Sequence, residues 1–425
     1  MKFLKFIFTD TKDIKRSSYI WNMVSSLIYA GQSALALMII TRTNGLDEAG
    51  VFSIAYAVAS LLYFIGEYGA RKYQVSDVNE DLPFVAYHTH RVITCTIMLA
   101  ASIIYSVYGW LVLSYDFSKA YIILVICVLK AIEAYQEVYS ARFQQMGRLD
   151  IGAKTNLFRT VVSMAAGMVV LVITRNMMIA TTVWTVVALI AFLGSSVLCA
   201  PDYCKIEFRW NKEQFMKITL DCLPLFAGCF FLLYVGNAPK YAIDACMSDT
   251  DQAYYNFIFM PVFAVGLFAN FVFNPILVDL AKKWDERELP GFVRMVRRQI
   301  GIIAAITMLA IGVALTFGCP VLGLMYSADL MPFKRELVIL MIGGGMLALV
   351  NFFNVVITVT RNQKYLMIGF ITGAILAALL SNRAVSGWGI TGASVLYVVL
   401  MSVMAAAFGA ILIIIVRREK AQNRA

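Results

Sequence analysis

Long apolar runs, broken by short polar or basic stretches, dominate the chain. A transmembrane helix needs about 20 apolar residues, and the pattern predicts twelve runs of about that length. The fifth and sixth runs are separated only by Arg175 and Asn176. The predicted spans are 19–40, 51–69, 92–113, 120–139, 156–174, 178–199, 219–241, 255–280, 299–319, 335–359, 365–381 and 389–416. We therefore expect an all-α integral membrane protein.

Composition supports this fold class and excludes others. The chain has 425 residues, of which 60% are hydrophobic and only 15% are charged. Soluble domains carry about 25% charged residues, so a water-soluble enzyme and a disordered protein are both excluded. The net charge of +10 does not indicate nucleic-acid binding. The basic residues lie in short clusters between apolar runs, as they do in loops that face anionic membrane lipid.

The distribution of Lys and Arg tests the number of spans, because cytoplasmic loops are enriched in these residues. With the N-terminus in the cytoplasm, twelve spans place 27 Lys and Arg residues on the inner side and 7 on the outer side. One missed or extra span would reverse every later loop and remove this asymmetry. We therefore expect both termini in the cytoplasm, with the first apolar run retained as a span rather than cleaved as a signal peptide.

A basic stretch near the midpoint divides the chain into two halves with six spans each. We expect an N-terminal six-helix lobe over 1–200, a cytoplasmic linker over 201–218 and a C-terminal six-helix lobe over 219–425. An even number of spans in each half gives both halves the same orientation, which predicts two pseudo-symmetric lobes around a central cavity. A weak match between 48–52 and 251–255, which enter spans two and eight, supports this.

The turn after the first span carries a short motif, Arg-x-x-Gly-x-x-Glu-x-Gly-x-aromatic. The residues that fit it are Arg42, Gly45, Glu48, Gly50 and Phe52. This segment resembles the first hairpin of the polysaccharide transporters, the flippases of lipid-linked oligosaccharides and O-antigen units. They belong to the multidrug/oligosaccharidyl-lipid/polysaccharide exporter superfamily.

The resemblance implies a V-shaped fold of two lobes in the bacterial cytoplasmic membrane. It also implies a function, namely moving an undecaprenyl-pyrophosphate-linked oligosaccharide from the inner to the outer leaflet for surface polysaccharide assembly. The expected partners are this lipid-linked oligosaccharide, the surrounding membrane lipid and other polysaccharide-assembly proteins. We expect no enzymatic activity, no cofactor and no nucleic-acid partner.

Two other functions stay open on the sequence. The first is a cation-coupled multidrug or metabolite exporter of the same superfamily, which needs an acid-rich cavity. The second is a polytopic glycosyltransferase or polymerase, which needs a large outer loop with catalytic residues. The longest predicted outer loops, 241–254 and 320–334, have no more than about 15 residues, and no nucleotide-binding or nucleophile motif is present.

Ionisable residues inside spans are rare and usually face protein or a wet cavity. In span four, Lys130, Glu133 and Glu137 recur at i, i+3 and i+7, which places them on one helical face. One interpretation is structural: Lys130 and Glu133 form an ion pair that stabilises the helical bundle. The other is functional: Lys130 contacts a pyrophosphate, and the two glutamates bind a coupling ion. Arg142 extends the same helix toward the inner surface and is a further candidate for the phosphate.

Two further sites lie near the inner ends of spans. Arg159 is about one turn inside span five, and it either extends to the interface or captures phosphate with its planar guanidinium. Glu67 and Arg71 are spaced i, i+4, which favours an ion pair. Glu67 is also a candidate for ion coupling.

The C-terminal half has amides where the N-terminal half has charges. Asn270 and Asn274 share a helical face, and either bond sugar hydroxyls or neighbouring helices. Lys240 and Asp244 form an i, i+4 pair at the outer end of span seven. Lys240 is a candidate contact for the departing head group, and Asp244 a candidate for ion coupling. We therefore expect phosphate contacts in the first lobe and sugar contacts in the second.

Cysteine and histidine give no sign of a metal site. The eight cysteines lie mostly in apolar runs without a CxxC spacing, which is typical of inert buried thiols. The two histidines, His88 and His90, fall in a predicted loop, where we expect them to be solvated.

Overall fold

The computed structural model describes residues 2–77, 80–273 and 276–422. Helices account for nearly all of these residues, and the described part of the chain contains no strand. Contacts divide the chain into two compact units, Met1–Phe230 and Phe231–Ala425. The boundary lies inside one helix. The predicted lobe limits at residues 200 and 219 stay a prediction.

In residues 2–77 and 80–230, the described part of the first unit, there are eight complete helices and the start of a ninth. They are α1 (Lys2–Thr9), α2 (Ile14–Asn44), α3 (Leu46–Glu67), α4 (Ala70–Ser76), α5 (Phe84–Leu111), α6 (Phe117–Gln145), α7 (Leu149–Thr174), α8 (Met177–Phe192) and α9 (Lys212–Cys246). Within this unit α2 packs on α7, α3 packs on α6, and α7 packs on α8.

The second unit takes the rest of α9 and the helices that follow it. They are α10 (Asp249–Phe273), α11 (Leu277–Asp285), α12 (Leu289–Val313), α13 (Cys319–Tyr326), α14 (Lys334–Val359) and α15 (Leu366–Gln422). Here α14 is the central helix, since it packs on α10, α12 and α15.

In the part of the chain that the structure describes, each predicted span overlaps a helix, and span eight (255–280) overlaps both α10 and α11. Spans eleven and twelve share α15, which has non-helical backbone at Gly389 (φ 56°, ψ −137°) and is therefore two helices joined at a kink. Among the described residues, nine helices are long and apolar enough to cross a membrane. They do not include α6, because its interior carries several charged residues, among them Lys130, Glu133 and Glu137. The all-helical membrane fold is confirmed, and the number of twelve spans stays a prediction.

Local capping explains two very short connections. Arg175, in the left-handed conformation (φ 49°), ends α7, and the side chain of Asn176 accepts a hydrogen bond from the Ile179 N–H to start α8. Two residues therefore suffice to reverse the chain. Gly45 (φ 95°) likewise ends α2 and precedes α3, a conformation that glycine adopts without strain. Gly50 of the same motif lies inside α3.

Candidate functional site

A buried cluster of ionic side chains lies between α6 and α7 of the first unit. Lys130 and Glu133, one turn apart on α6, form an ion pair with 2.7 Å between Nζ and Oε2. Arg159 of α7 reaches the other oxygen of the same carboxylate, with 3.2 Å between Nη1 and Oε1. All three side chains are only 2–3% exposed. Two cations thus share one carboxylate, which leaves a surplus positive charge in the interior of this unit.

Gln136 and Ser196 fix the orientation of Arg159. The Nε of Arg159 donates to Oε1 of Gln136, and Nε2 of Gln136 donates to Oγ of Ser196 over 2.7 Å. Ser196 belongs to a π-helical turn, Leu193–Val197, which continues α8. Such turns are often found at functional sites. The guanidinium is therefore held on two sides by groups that are themselves buried and hydrogen-bonded.

Two tyrosines enclose the ammonium group of Lys130. Its Nζ donates to the hydroxyl oxygens of Tyr56 (3.0 Å) and Tyr29 (3.4 Å), and lies 4.5 Å and 5.0 Å from the centroids of their rings. Tyr29 donates its own hydroxyl to Oε2 of Glu133 over 3.1 Å. The Lys130–Glu133 ion pair that the structural interpretation requires is therefore present. A contact between Lys130 and substrate stays a prediction.

A second ion pair lies one turn further along α6. Oε2 of Glu137 is 2.5 Å from Nη1 of Arg71. The predicted partner of Arg71 was Glu67, whose Oε2 instead accepts the N–H of Gly69 over 2.8 Å. The difference arises because α3 ends at Glu67. Two left-handed residues, Tyr68 and Gly69, then redirect the chain into α4, so the i, i+4 spacing no longer holds.

A polar cavity of about 170 Å³ lies beside these ion pairs. Arg71, Glu133, Glu137 and Arg159 contribute to its lining. The remaining polar side chains of the lining are Asn22, Ser25, Ser26, Tyr29, Tyr63, Ser140, Asn156 and Thr160. Small-molecule sites usually measure about 300–1,000 Å³, so this cavity holds water or one small charged group but not an oligosaccharide.

Arg142 is placed apart from the cluster, near the end of α6. Its Nε donates to the carbonyl oxygen of Tyr203 over 3.0 Å, and its Nη1 donates to Oε1 of Gln145 over 3.0 Å. The same Nη1 is 3.1 Å from a carboxylate oxygen of Glu80. These contacts tie three chain segments together at the end of the helix.

The candidates of the second unit are dispersed. Lys240 of α9 is 6% exposed, and its Nζ lies 4.6 Å from the centroid of the Phe259 ring. Asp244 is half-buried one turn further along the same helix. Asn274 and the side chain of Asn270 lie outside the described residues, so the predicted pair of amides stays a prediction.

The two histidines are not solvated, contrary to the sequence prediction, because α5 begins at Phe84 and includes both. His88 is 4% exposed, and its ring nitrogens lie 2.9 Å from the carbonyl oxygen of Glu207 and 2.7 Å from the hydroxyl of Tyr135. His90 is 1% exposed. The neighbouring Arg91, counted with the loop cations, is 1% exposed and donates to the carbonyl oxygen of Gly66 over 2.5 Å.

Sequence reasoning considered only ionisable groups in the spans, and so it missed the buried Gln136 and the two tyrosines around Lys130, Tyr29 and Tyr56. Gln136 stands one turn after Glu133 on the same helical face, and that spacing is the signal that would have found it. In the part of the chain that the structure describes, no group of three or more His, Cys, Asp or Glu side chains is placed to hold a metal ion.

No protein-family model and no curated protein sequence matches the chain. Solved structures do match it. A multidrug-resistance MATE-family transporter of the MOP superfamily, in an inward-facing conformation, aligns over 92% of this chain and 96% of its own, with a TM-score of 0.69 and 12% identity. The lipid II flippase MurJ, in an inward closed conformation, aligns over 91% of this chain and 86% of its own, with a TM-score of 0.71 and 10% identity.

A third structure, the Vibrio cholerae MATE transporter VcmN in its bent form, aligns over 96% of this chain and 98% of its own, with a TM-score of 0.58 and 10% identity. The chain has the fold of these transporters. At 10–12% identity the likeness covers the fold alone. The predicted resemblance to polysaccharide transporters is therefore supported only in the fold. The particular family stays a prediction.

Proposed function

We propose that the protein is a flippase. It carries an undecaprenyl-pyrophosphate-linked oligosaccharide from the cytoplasmic to the outer leaflet by alternating access, for surface polysaccharide assembly. The observation that carries the proposal is the surplus of buried positive charge in the first unit, where Lys130 and Arg159 share Glu133. The fold supports it as well, since a lipid II flippase has the same fold.

The chemistry of Arg159 suits a phosphate ligand. A guanidinium presents a rigid fork of N–H donors that matches two oxygens of a phosphate or a carboxylate. Glu133 contacts one nitrogen of that guanidinium, Nη1, and Lys130 and Tyr29 hold Glu133 in place. In the proposal, a pyrophosphate oxygen competes with Glu133 for Arg159, while Lys130 keeps the carboxylate neutralised.

The second unit contributes a different chemistry. Its buried amides, Asn237 and Asn256, are 6% and 4% exposed. Amides donate and accept hydrogen bonds without a net charge, so they suit sugar hydroxyls of varied stereochemistry. Within the proposal the predicted amides Asn270 and Asn274 belong to the same set, Arg142 and Lys240 to the phosphate contacts, and Glu67, Glu137 and Asp244 to ion coupling.

The alternative is a cation-coupled multidrug or metabolite exporter of the same superfamily, and the MATE transporters of the same fold favour it. Binding of a cationic drug needs a carboxylate that is free to accept it. Glu133 and Glu137 are each already engaged by a cation, which favours an anionic substrate for this unit.

The test uses the purified protein in proteoliposomes with a fluorescent undecaprenyl-pyrophosphate disaccharide, and measures how fast the label becomes accessible to an impermeant quencher. Arg159→Gln removes one charge-assisted donor and leaves the Lys130–Glu133 pair, so flipping should slow by about tenfold or more. Arg383→Gln is the matched control, since Arg383 is exposed on α15. Its rate should equal that of the wild type.

A triple variant separates binding from folding. Lys130→Gln with Glu133→Gln and Arg159→Gln removes all three charges at once and leaves no unpaired ion in the cluster. This protein should insert and remain folded but should not flip the lipid-linked disaccharide. Flipping at the wild-type rate would assign the cluster to the scaffold. Transport of a cationic dye by the wild type, with no movement of the disaccharide, would establish the exporter instead.

A further inference from the structure

The first helix is too short to cross a membrane. α1 (Lys2–Thr9) has eight residues, whereas a span needs about 20. One side of it is packed on the first unit: Phe8 is 4% exposed, and its ring lies 5.5 Å from that of Phe158 on α7 in an edge-to-face arrangement. The other side is open, since Phe6 and Ile7 are 59% and 49% exposed. α1 therefore presents an apolar face that the protein does not cover.

The C-terminal end of α1 is held by several polar contacts. Nη2 of Arg148 donates to the carbonyl oxygen of Thr9 over 2.8 Å, and Thr11 donates its hydroxyl to Oδ2 of Asp150 over 2.9 Å. Nζ of Lys154 donates to the hydroxyl oxygen of Thr11 over 2.8 Å. Cations at the carboxyl end of a helix are stabilised by its dipole. These contacts fix the helix and so fix the direction of its open face.

A second anchor lies nearer the start of the helix. Nζ of Lys5 is 2.7 Å from Oδ1 of Asp202, in the segment that follows α8. α1 is therefore attached both to the start of α7 and to the end of the segment after α8. It lies at the end of the helical bundle and not within it.

Exposed basic side chains follow α1 directly in the chain. Residues 1–18 contain five basic and two acidic residues, a net charge of +3. Lys12, Lys15 and Arg16 are exposed, and the carboxylate of Asp13 is engaged in capping α2 through the N–H of Arg16. The pattern of an exposed apolar face beside a cluster of cations is that of helices that lie in the plane of an anionic membrane surface.

Aromatic side chains mark the depth at which α1 lies. Tyr19 is 78% exposed and Trp21 is 38% exposed, about one turn after Arg16 on α2. Tyr and Trp are enriched at membrane–water interfaces. The cations next to them therefore lie at the height of the lipid head groups, and the open side of α1 lies at the boundary with the acyl chains.

We propose that α1 and the basic turn after it form a docking surface for acidic phospholipids of the cytoplasmic leaflet. Phe6 and Ile7 enter the acyl-chain boundary, and Lys12, Lys15 and Arg16 contact the phosphate and acidic head groups. The charge of the turn is complementary to these lipids. This surface is separate from the Glu133 cluster and does not depend on the transported substrate.

The test is hydrogen–deuterium exchange of residues 2–12 in the full-length protein, in nanodiscs of phosphatidylcholine with and without phosphatidylglycerol. Phosphatidylglycerol should slow exchange of α1 by about tenfold, since each basic residue near an anionic surface contributes to binding. Lys12→Gln with Lys15→Gln and Arg16→Gln should abolish this lipid dependence. Phe6→Ser with Ile7→Ser should speed exchange in both kinds of nanodisc.

The matched control is Arg294→Gln with Arg297→Gln and Arg298→Gln, which removes three exposed cations from α12 of the second unit. It should keep the full effect of phosphatidylglycerol on α1. Equal exchange in the two kinds of nanodisc would overturn the proposal and leave α1 anchored by its apolar face alone. Loss of the effect in the α12 control would also overturn it, because the lipid dependence would then follow total charge.

Discussion

The two units place their ion pairs differently. In the first unit, the pairs that Glu133 makes with Lys130 and Arg159 lie in the interior, with side chains 2–3% exposed. In the second unit, the ion pairs among the described residues lie at the surface: Lys282–Glu286 has side chains that are 70% and 55% exposed. Lys240, which is buried there, lies against an aromatic ring.

This difference bears on how each interior is stabilised. Removing a buried ion from water costs several kcal/mol unless a counter-ion and hydrogen bonds compensate for it. The first unit meets that cost around Glu133 with a network in which each cation contacts the carboxylate, while the buried Arg91 donates to a backbone carbonyl oxygen. Among its described residues, the second unit buries mostly neutral polar side chains, together with the charged Lys240 and Glu336. The first unit therefore adds a buried ionic network to its apolar core, whereas the buried charges of the second unit contact an aromatic ring and a hydroxyl.

Glu133→Gln should give the largest loss of stability in the chain. It leaves two buried cations without their carboxylate, which typically costs about 3–5 kcal/mol. The matched variant is Glu336→Gln in the second unit, where the buried carboxylate accepts a hydrogen bond from Thr391 over 2.6 Å, and about 1 kcal/mol is expected. Thermal unfolding of the two purified variants measures both. Equal losses would contradict the distinction between the units.

Replacing the buried lysines with methionine should give opposite results. Lys130→Met removes a partner of Glu133, and should destabilise the first unit by about 1–3 kcal/mol. Lys240→Met replaces an ammonium that lies on the Phe259 ring with an apolar side chain of similar length, which is often neutral or stabilising at buried sites. Unfolding midpoints in one detergent provide the measurement. A large loss from Lys240→Met would indicate a compensating contact in the second unit.

A pair of glycine variants separates packing from charge. A Cβ on Gly167 of α7 would lie 2.7 Å from Cβ of Trp184 on α8, so Gly167→Ala should cost about 1–3 kcal/mol through overpacking. A Cβ on Gly312 of α12 meets nothing within 4 Å. Gly312→Ala should therefore be neutral or slightly stabilising, as it is in exposed helices. The unfolding midpoints of the two variants are the measurement. An unchanged midpoint for Gly167→Ala would show that α7 and α8 can move apart.

The smallest effect concerns a loop carboxylate outside the spans. Burial raises the pKa of Asp77, but hydrogen bonds from the N–H groups of Asp81 and Leu82 and from the Tyr87 hydroxyl outweigh it and hold the pKa below its ordinary value of 3.8. The stabilisation is therefore complete above pH 3.8 and is lost as the pH falls further. Asp77→Asn should speed amide exchange at Asp81 and Leu82 at pH 7.

The same comparison at low pH is the control for Asp77. Once the wild-type carboxyl is protonated, it resembles the amide of the variant. The difference in exchange between the two proteins should therefore shrink as the pH falls below the pKa of the folded protein. A constant difference at every pH would show that the charge of Asp77 does not stabilise this loop.

The helical membrane fold could be predicted from the sequence because apolar length alone decides it. The sequence also separated the fifth and sixth runs at Arg175 and Asn176, and the structure shows how two residues reverse the chain there, with a left-handed residue followed by an N-cap. The pairing of Lys130 with Glu133 followed from helical spacing. These features depend only on residues that are close in the sequence, so helix length and side-chain spacing are enough to predict them.

Contacts between distant helices could not be predicted in this way. The contact of Arg159 with Glu133, which also pairs with Lys130, depends on how α6 packs on α7. The ion pair between Arg71 and Glu137 depends on the break after α3. Tyr68 adopts a left-handed conformation there, which the residue type tyrosine does not predict. The burial of His88 and His90 was missed because polar residues at the start of α5 resemble a loop.

The π-helical turn Leu193–Val197 has a consequence for changes in chain length. A π turn contains one residue more than the α-helical turn that it replaces, so a single deletion within it can leave a continuous α-helix. Because either kind of turn completes one revolution, the later side chains would keep their direction about the helix axis, whereas the same deletion in the regular part of α8 would rotate them by roughly 100°. Asp202 would then stay beside Lys5. A one-residue deletion in the π-helical turn should therefore preserve the helix and the anchor of the N-terminal segment, whereas a one-residue deletion earlier in α8 should release that anchor.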